Sequence, residues 1–337
     1  MTRGFILRRG GPQLSIQDMG RSGALSQGLS RGGAADRLAL VEGAALLGQP
    51  DTLAAIEMAG LGGEFEATAE LRIALTGAPM RAEIDGVAVV WNASHLVPRG
   101  GRLKIGGVLD GNYGYLHVGG GFDTLDLLGS RSDHRAAGVG RPLDTGMTIP
   151  VGKDTGDEVG FRLDPVPRFG GGVLRIVPSL QTDLFPVSER DRFVATAFRR
   201  DARGNRMGAP LVSDGDRFGG DAGLSVLSEV VVPGDIQITG DGTPFVLLAE
   251  CQTTGGYPRI GTVIPCDIPR AAQAGAGSEI RFVFVTMDEA LAAERAAATE
   301  RKALRSRRQR LVRRPQDIRD LLSYQLISGM TAGRDAD

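Results

Sequence analysis

Residues 164–172 read Asp-Pro-Val-Pro-Arg-Phe-Gly-Gly-Gly, the strongest interruption of regular structure in the chain. Two prolines restrict the backbone and remove N–H donors, and three consecutive glycines permit almost any backbone conformation. Such a segment is typical of a connection between domains. With 337 residues, the chain is long enough for two hydrophobic cores. We therefore predict one domain over residues 1–163, a second over 173–286 and a helical extension over 287–337.

Short apolar or alternating runs lie on both sides of this segment and are separated by glycines. Glycine accounts for 50 residues, but no three-residue period carries them, so they serve turns and not a collagen-like helix. The run lengths predict short strands of a mainly antiparallel β-sheet or barrel. The runs are residues 5–7, 71–75, 87–91, 103–105, 113–118, 173–177, 193–198, 230–232, 236–238, 245–249 and 280–285. Before the C-terminal part, helices are predicted at residues 34–47 and 267–274.

Two stretches repeat weakly between the halves. Residues 17–21 lead through glycines to Asp36 and a predicted helix, and residues 252–256 lead in the same way to Asp267 and a predicted helix. This similarity favours two similar barrels, one in each half, over a single large sheet.

The C-terminal part differs from the rest in charge and in helical signals. Thr286 and Glu289 fit a capping box ahead of residues 288–312, which are rich in alanine, arginine and glutamate. Pro315 can open a second helix, whose apolar stripe folds back on the chain's own barrel or docks on a partner protein. The stripe consists of Ile318, Leu321, Leu322 and Leu326. Contact of the basic helix with nucleic acid or a membrane is the least favoured alternative.

The overall charge and the apolar runs bound the location of the protein. The 39 basic and 40 acidic residues nearly cancel. No apolar run reaches the ~20 residues that a membrane span requires, and Arg3, Arg8 and Arg9 interrupt any signal-like apolar core. We therefore predict a cytoplasmic protein with no membrane and no nucleic-acid partner. Cys251 and Cys266 lie in apolar stretches, and we expect both to be buried and reduced.

Several common arrangements of catalytic residues are missing. His95, His117 and His134 are too scattered for a paired metal site, so no metal is predicted. Residues 152–155 (Gly-Lys-Asp-Thr) lack the spacing of a phosphate-binding loop, and residues 119–121 lack the spacing of a dinucleotide fingerprint. No cofactor is therefore predicted from a motif.

The residue types of a serine-hydrolase triad occur together at Ser130, Ser132, Asp133 and His134. Groups adjacent in sequence seldom converge in space, and the chain has no Gly-x-Ser-x-Gly elbow. A serine hydrolase is therefore disfavoured.

The densest group of unusual polar residues is the stretch 250–258, which directly follows the predicted strand 245–249. A polar loop with paired glycines suits an anion or a carbonyl oxygen that develops negative charge. The alternative is a turn that closes the barrel. Under the functional interpretation, the catalytic candidates are Glu250, Gln252, Thr253 and Tyr257, and the substrate-binding candidates are Thr254, Gly255 and Gly256.

Three further loops carry candidate residues. Asp18 and Arg21 either bind substrate, since arginine binds carboxylates with two hydrogen bonds, or pair with each other. Asn205 and Arg206 follow a charged turn, from which Arg206 could reach the carboxylate of a ligand. Glu229 is a candidate acid, base or orienting group, with an exposed glutamate as the alternative.

These stretches resemble a known family in order and spacing. The matching residues are 16–18 with Gly20, Arg21 and Gly23, 32–34 with Asp36, 75–78, 119–123, 129–132, 205–208, 228–229, 233–234, 236–237 and 252–258. The family includes the C subunit of bacterial 5-oxoprolinase, KipA and the carboxyltransferase part of urea amidolyase, also called allophanate hydrolase subunit 2. The resemblance covers about residues 4–290. It departs at Glu250, where aspartate is common, and at Ala209 and Pro210, where an aromatic residue and an arginine are common.

The resemblance implies two tandem cyclophilin-like β-barrels and a KipI-type partner, the B component of the enzyme, that supplies part of a shared site. Some members act with this partner and a LamB/YcsF-type A component to open the lactam of 5-oxoproline at the expense of ATP, giving glutamate. Others move a carboxyl group from carboxybiotin to urea or a related amide. A third possibility is a KipA-like regulatory module that sequesters a partner.

We expect the first of these activities, with a small amide or lactam as substrate. In that interpretation the second-half loop polarises the substrate carbonyl, and Glu229 or Glu250 handles a proton or orients Gln252. Arg206 or Arg21 then holds a carboxylate of the substrate.

Overall fold

A computed structural model describes residues 2–219 and 226–312. The first half contains β1 (Gly4–Gly10), β2 (Leu14–Gln17), β3 (Ala55–Ala59), β4 (Gly63–Ala67), β5 (Leu71–Gly77), β6 (Met80–Ile84), β7 (Val87–Ala88), β8 (Ala93–Val97), β9 (Arg102–Val108), β10 (Tyr113–Val118), β11 (Thr148–Pro150) and β12 (Phe161–Arg162). Then follow β13 (Gly172–Val177), β14 (Phe198–Arg200), β15 (Gly208–Val212), β16 (Glu229–Val230), β17 (Asp235–Ile238), β18 (Pro244–Leu247), β19 (Thr254–Gly255), β20 (Arg259–Val263), β21 (Glu279–Phe284) and β22 (Gln309–Arg310). The helices are α1 (Arg37–Leu47), α2 (Val187–Ala195), α3 (Ile268–Gln273) and α4 (Met287–Ala303). The mainly β prediction is confirmed.

The first half packs two β-sheets around one core. Their strand orders are β11-β1-β4-β9-β6-β7 and β2-β3-β10-β5-β8-β12-β22. Successive side chains of a strand point to opposite faces, and β5 uses both faces. Ile73 and Leu75 join the core between the sheets, whereas Ala74 packs with Leu46 and Leu47 of α1. The helix predicted over residues 34–47 is thus present and covers the outer face of this sheet.

The second half is a closed barrel of seven strands in the order β13-β20-β17-β18-β15-β14-β21. β13 and β21 run parallel, and the other six pairs of neighbouring strands run antiparallel. Inward-facing side chains such as Leu174, Ile236 and Ile260 fill the interior. A closed barrel leaves no free sheet edge, so polar loops at its rim can vary without exposing backbone groups.

One predicted strand of the second half is wrong. Residues 193–198 divide between α2 and β14. The ring centroid of Phe193 in α2 lies 4.9 Å from that of Phe282 and 5.1 Å from that of Phe198. The apolar run that predicted one strand therefore contains the end of a helix and the start of a strand. Phe193 and Phe198 enter the same core from these two elements.

The segment at residues 164–172 connects the halves and is anchored by a buried ion pair. Arg168 Nε lies 2.6 Å from Asp36 Oδ2, and Arg168 Nη2 lies 2.6 Å from Glu42 Oε2. Gln273 Nε2 of the second half donates to the same Asp36 oxygen over 2.9 Å. The connection is therefore fixed to both halves, and a single apolar cluster includes residues of both. The boundaries at residues 163 and 173 stay a prediction.

The C-terminal helix begins as predicted. Glu289 N–H donates to Thr286 Oγ1 over 3.2 Å, and Thr286 N–H donates to Glu289 Oε2 over 2.8 Å, which completes the capping box. Residues 313–337, which include the predicted second helix, lie outside the described residues. In the ranges 2–219 and 226–312, no helix is long and apolar enough to cross a membrane.

The first helix of the extension is shorter than predicted. It ends at Ala303 and not at residue 312, and β22 then pairs with β12 of the first half. The guanidinium groups of Arg308 and Arg310 lie 4.4 and 4.7 Å from the ring centroid of Phe161. This stacking and the strand pairing require residues 309–310 to be extended. A helix that continued to residue 312 could not make these contacts.

Candidate functional site

The polar stretch at residues 252–257 lies at the surface of the second half, where it forms a two-stranded ribbon with β16; this stretch is called the hairpin below. β19 pairs with β16, which places Gly255 opposite Glu229. Val231 N–H donates to Thr253 O over 3.0 Å and holds the base of the hairpin. The exposed side chains are Gln252, Thr254 and Tyr257. The hairpin is therefore open to small solutes, and its polar groups are not consumed by closure of the barrel.

A buried glutamine orients this hairpin. Gln237 Nε2 lies 3.5 Å from Tyr257 O, and Gln237 Oε1 accepts from Gln252 Nε2 over 3.0 Å. A carbonyl oxygen can only accept, so it fixes which end of the Gln237 amide faces it. The Gln252 amide nitrogen is then bound inward, and Gln252 Oε1 is presented outward as an acceptor. A Cβ atom at residue 255 would collide with Gln237 Nε2 and displace this amide, so the glycine there leaves the amide in place.

Glu229 lies beside the hairpin and is held through one oxygen. Arg259 Nη2 donates to Glu229 Oε2 over 2.6 Å, and Gln181 Nε2 donates to the same oxygen over 2.8 Å. Gln181 Oε1 accepts from Arg259 N–H over 3.0 Å, which ties the two donors together. In the described part of the chain, Glu229 Oε1 has no hydrogen-bond partner. This oxygen can accept a proton or a hydrogen bond from a bound molecule.

Glu250 and Arg206 lie at a buried seam between the halves and not in the hairpin. Arg206 Nε lies 2.6 Å from Glu250 Oε1, Arg206 Nη1 pairs with Glu57 of the first half, and Arg206 Nη2 donates to Gly33 O over 2.6 Å. Burial alone would lower the pKa of Arg206, but the charges of Glu57 and Glu250 raise it above its usual value. The guanidinium group is fully engaged, which argues against the predicted contact with a substrate carboxylate.

Glu57 receives further support from the first half. Tyr115 Oη donates to Glu57 Oε2 over 2.6 Å, and Ala35 N–H donates to the same oxygen over 2.8 Å. Burial and the charge of Glu57 raise the pKa of Tyr115 well above its usual value, so the phenol stays protonated and donates. The seam is therefore a rigid, hydrogen-bonded ionic network.

His134 also borders the seam. Ala137 N–H donates to His134 Nδ1 over 3.3 Å, and Ser30 Oγ lies 2.8 Å from His134 Nε2. Because Nδ1 accepts, the proton of the neutral ring sits on Nε2 and points at Ser30, the opposite of what activation of a serine nucleophile needs. Burial lowers the pKa of His134, and the charge of Glu250 opposes this effect. The arrangement argues against Ser30 as a nucleophile that His134 activates.

Asp18 binds the loop at residues 127–132. Its carboxylate accepts from Ser130 Oγ over 2.6 Å, from Arg131 N–H over 2.7 Å and from Gly20 N–H over 2.8 Å. Burial alone would raise the pKa of Asp18, but these hydrogen bonds lower it overall. The carboxylate is a structural acceptor that closes this loop.

Arg21 binds the same loop through backbone carbonyls. Its Nε donates to Leu127 O over 3.0 Å, and its Nη2 donates to Ser130 O over 3.2 Å and to Ser132 O. The alternative in which Asp18 and Arg21 pair with each other is therefore wrong. Each instead holds the loop at residues 127–132, and Arg21 is only 2% exposed.

Residues 27–284 match the sequence model of the carboxyltransferase domain, subdomain A and B. The chain belongs to this carboxyltransferase family. The C subunit of 5-oxoprolinase from Escherichia coli K12 is 33% identical to it over 290 residues, which cover 85% of this chain and 92% of the relative.

Two solved structures share the fold of this chain. The crystal structure of TTHA0988 is 28% identical, with a TM-score of 0.77 over 84% of this chain, which spans only 56% of the TTHA0988 chain. The Kluyveromyces lactis urea carboxylase matches with a TM-score of 0.80 over 90% of this chain and 29% of its own length, at 22% identity. The urea carboxylase match shows the fold alone.

In this carboxyltransferase-family chain, the predicted site residues fall into three places. The hairpin unites Gln252, Thr253, Thr254, Gly255, Gly256 and Tyr257 with Glu229; the seam holds Glu250 and Arg206; and the loop at residues 127–132 holds Asp18 and Arg21. Asn205 is exposed beside the seam, where its Oδ1 accepts from Met207 N–H over 2.8 Å.

Sequence reasoning missed three residues that shape this surface: Gln181, Gln237 and Arg259. Gln237 carries a usable signal, since it is a polar residue between two isoleucines in a strand that forms part of the barrel. Gln181 and Arg259 carry no such sequence signal, because they lie 48 and 30 residues away from Glu229, which they contact.

Cys251 is buried, as expected, and Cys266 is half-buried. Burial raises the pKa of both thiols to about 12, so neither is a reactive nucleophile.

Proposed function

We propose that this chain is the C subunit of a 5-oxoprolinase that opens the lactam of 5-oxoproline to glutamate at the expense of ATP. The main support for this proposal is the sequence similarity to the Escherichia coli C subunit, which extends over most of both chains. Similarity of that extent favours a shared role over a shared domain in different contexts. The proposed partners are a LamB/YcsF-type A component and a KipI-type B component.

The hairpin supplies groups that suit this chemistry. Opening the ring adds water across the C–N bond, so that the carbonyl carbon gains a hydroxyl group and the ring nitrogen gains a proton. Gln252 Oε1 accepts the lactam N–H, and the hydroxyls of Thr253 and Thr254 donate to the carbonyl oxygen as it gains negative charge. Glu229, through its unbound Oε1, receives a proton from the attacking water and returns it to the leaving nitrogen.

The seam acts indirectly in this proposal. Glu250 precedes Gln252 by two residues, and its ion pair with Arg206 fixes the chain where the hairpin begins. Ala136 N–H of the first half donates to Glu250 Oε2 over 3.3 Å. We therefore assign Glu250 and Arg206 as positioning residues, which hold the hairpin in place without touching the substrate.

Two glycine-rich segments of the described chain, around residues 119–121 and 152–156, pack against each other. A Cβ at Gly119 would collide with the Asp154 carboxylate, and a Cβ at Gly120 would lie 2.5 Å from Gly152 O. The backbones of the two segments are thus in close contact, and neither segment has the spacing of a phosphate-binding loop. ATP is therefore assigned to a partner protein, and no step on this chain is routed through it.

The second candidate is a biotin-dependent carboxyltransferase that acts on urea or a related amide. The family description and the fold shared with urea carboxylase favour it. Carboxybiotin would supply the carboxyl group. Urea carries N–H groups and a carbonyl oxygen, so Gln252, Thr253 and Thr254 would hold it as they hold a lactam. The hairpin alone does not discriminate between the two substrates, but a requirement for biotin does.

Reconstitution of the three purified proteins tests the proposal. We expect release of glutamate from 5-oxoproline only when the LamB/YcsF-type component, the KipI-type component and this chain are combined with ATP. Avidin, which sequesters biotin, should have no effect. Turnover without ATP, or no turnover with the cognate partners, would contradict the assignment. Carboxylation of urea that avidin abolishes would establish the second candidate.

A further inference from the structure

Strand β17 lies beneath the hairpin and carries two buried polar residues. Ile236 and Ile238 face the barrel interior, so the alternate residues Asp235 and Gln237 point to the outer face of the barrel. Both polar residues are only 2% exposed. Gln237 accepts from Gln252 and orients it. β17 therefore places a second polar side chain, the Asp235 carboxylate, next to the amide that supports the hairpin.

The Asp235 carboxylate is held from three directions. Its Oδ1 accepts from Thr262 Oγ1 over 2.7 Å, and its Oδ2 accepts from Val232 N–H over 3.0 Å and from Arg259 Nη1 over 3.3 Å. Burial, and then the charge of Asp235, raise the pKa of the Cys251 thiol to about 12. Asp235 thus carries its charge in a poorly hydrated place, where it acts strongly on neighbouring groups.

Arg259 is shared between Asp235 and Glu229. Its Nη2 donates to Glu229 Oε2 over 2.6 Å, whereas its Nη1 donates to Val230 O over 2.9 Å and to Asp235. A guanidinium group can bind one carboxylate through two parallel N–H groups. Because Val230 O and Asp235 take Nη1, Glu229 receives only the Nη2 contact from Arg259. This arrangement leaves Glu229 Oε1 available and divides the charge of Arg259 between two carboxylates.

We propose that Asp235 is a positioning residue for Glu229 and acts through Arg259. It holds the guanidinium group so that only one oxygen of Glu229 is bound, and its negative charge offsets part of the attraction between Arg259 and the Glu229 carboxylate. Under the proposed function, on which this role of Asp235 rests, Glu229 accepts a proton from the attacking water. A carboxylate in too strong an ion pair accepts a proton poorly, so the sharing of Arg259 favours the reaction.

Asp235→Asn removes the charge and keeps the shape, since the amide oxygen can replace Oδ2 and the amide nitrogen can donate to Thr262 Oγ1. In the reconstituted three-protein enzyme we expect kcat to fall about tenfold, with KM for 5-oxoproline changed less than about twofold. In the described part of the chain, the charged groups that face Glu229 are Arg259 and, behind it, Asp235. Without the charge of Asp235, Arg259 stabilises ionised Glu229 more strongly. The acidic limb of the kcat profile should therefore move to lower pH, by about half a pH unit or more.

Asp267→Asn is the matched control. Asp267 is also buried and paired with an arginine, but within the described ranges its carboxylate binds Arg175 and Cys266 and not the hairpin. Its kcat and its acidic limb should stay as in the natural chain. A folded Asp235→Asn enzyme with unchanged kcat and acidic limb, or an equal response in Asp267→Asn, would overturn the proposal. If Asp235→Asn does not fold, Arg259→Lys decides: one ammonium group cannot bridge both carboxylates as the guanidinium does, so full activity of this variant would overturn the proposal.

A double-mutant cycle in urea unfolding separates the role of Asp235 from the proposed function. It compares the natural chain with Asp235→Asn, Glu229→Gln and the double variant. Each single variant loses one attraction to Arg259 and relieves the repulsion between the two carboxylates, and the double variant leaves Arg259 without either anion. We therefore expect the double variant to lose more stability than the two single losses together. Additive losses would overturn the role of Asp235. Failure of the natural chain to release glutamate would remove the proposed function, whereas non-additive losses would still establish that Asp235 and Glu229 act on one guanidinium group.

Discussion

The hairpin at residues 252–257 and the seam around Arg206 adjoin in sequence at Glu250 and have opposite chemistry. Glu250 is buried and ion-paired, and two residues later Gln252 is exposed and uncharged. Charges in the seam are matched by other charges, so they hold the halves together but offer nothing to a substrate. The hairpin presents neutral amides and hydroxyls, which recognise an amide substrate without the desolvation cost of a charge.

Breaking the seam should have the largest effect on stability. Arg206→Met leaves Glu57 and Glu250 buried without a cation, and loss of one partner from a buried ion pair costs about 3–5 kcal/mol. Urea unfolding followed by circular dichroism measures this loss. Arg199→Met is the matched control, because Arg199 pairs with Asp214 at the surface, and we expect a much smaller change in the free energy of unfolding. Equal losses in the two variants would show that the seam is not a buried ionic network.

The hairpin should respond in activity and not in stability. Gln252→Leu removes the outward acceptor, and we expect kcat/KM for 5-oxoproline to fall about 100-fold with the free energy of unfolding nearly unchanged. Assays of the reconstituted three-protein enzyme measure this effect. Gln13→Leu, at an exposed glutamine in a turn, is the control and should retain full activity.

Gln237→Leu separates orientation from contact. It keeps Gln252 but removes the amide that holds it, so we expect an intermediate loss of kcat/KM, about tenfold. If Gln237→Leu is as active as the natural chain while Gln252→Leu is not, the amide orientation drawn from Tyr257 O is wrong. If neither variant loses activity, the hairpin does not bind substrate.

The sequence could predict the hairpin better than the seam. Local signals are sufficient for a strand followed by paired glycines and hydroxyl residues, and for the capping box at Thr286. The partner of Arg206 is Glu57, which is 149 residues away and has no local signature. Arg206 and Glu250 therefore read as loop residues in the sequence, and only the packing of one half on the other shows that they are buried.

The two wrong predictions of secondary structure, a strand at residues 193–198 and a helix that continues to residue 312, have the same origin. Residues 193–198 form a short, mostly apolar run that resembles a strand, because a helix and a strand each insert a phenylalanine into one core. Residues 304–312 have helix-forming composition, yet Arg308 and Arg310 leave the helix to stack on Phe161. In both cases tertiary contacts outweigh local propensity, which is worth less than about 1 kcal/mol per residue.

His117 differs from both the hairpin and the seam, because it is a buried titratable side chain whose hydrogen-bond partner, Thr76, is uncharged. Thr76 Oγ1 donates to Ala39 O over 2.9 Å and lies 2.7 Å from His117 Nε2, so it accepts the proton of the neutral ring. Burial lowers the pKa of His117 to about 3. The unfolded chain binds a proton near pH 6.5 and the folded chain does not, so stability falls as pH decreases from 6.5 towards 3.

This linkage predicts a loss of about 2 kcal/mol between pH 7.5 and 5 from His117 alone. Urea unfolding at a series of pH values should show that His117→Gln is less stable at pH 7.5 but loses about 2 kcal/mol less on acidification. His95→Gln is the control, because His95 is only half-buried and should change the pH dependence less. An unchanged pH dependence in His117→Gln would mean that the folded protein accommodates the charged ring.

The smallest expected effect on stability comes from the ion pair of the hairpin surface. Glu229→Gln removes the negative charge from the ion pair with Arg259. The Glu229 side chain is about half exposed, so we expect the free energy of unfolding in urea to fall by less than about 1 kcal/mol. The matched variant Glu250→Gln removes the same charge from the buried seam and weakens the contact with Arg206 Nε. Because Glu57 still neutralises Arg206, we expect a loss larger than that of Glu229→Gln but smaller than that of Arg206→Met. The effects on activity should have the opposite order. Glu229→Gln should lose more activity than Glu250→Gln, because it abolishes proton transfer while the fold persists. A Glu229→Gln enzyme with full turnover would remove Glu229 from the mechanism and leave it as a clamp on Arg259.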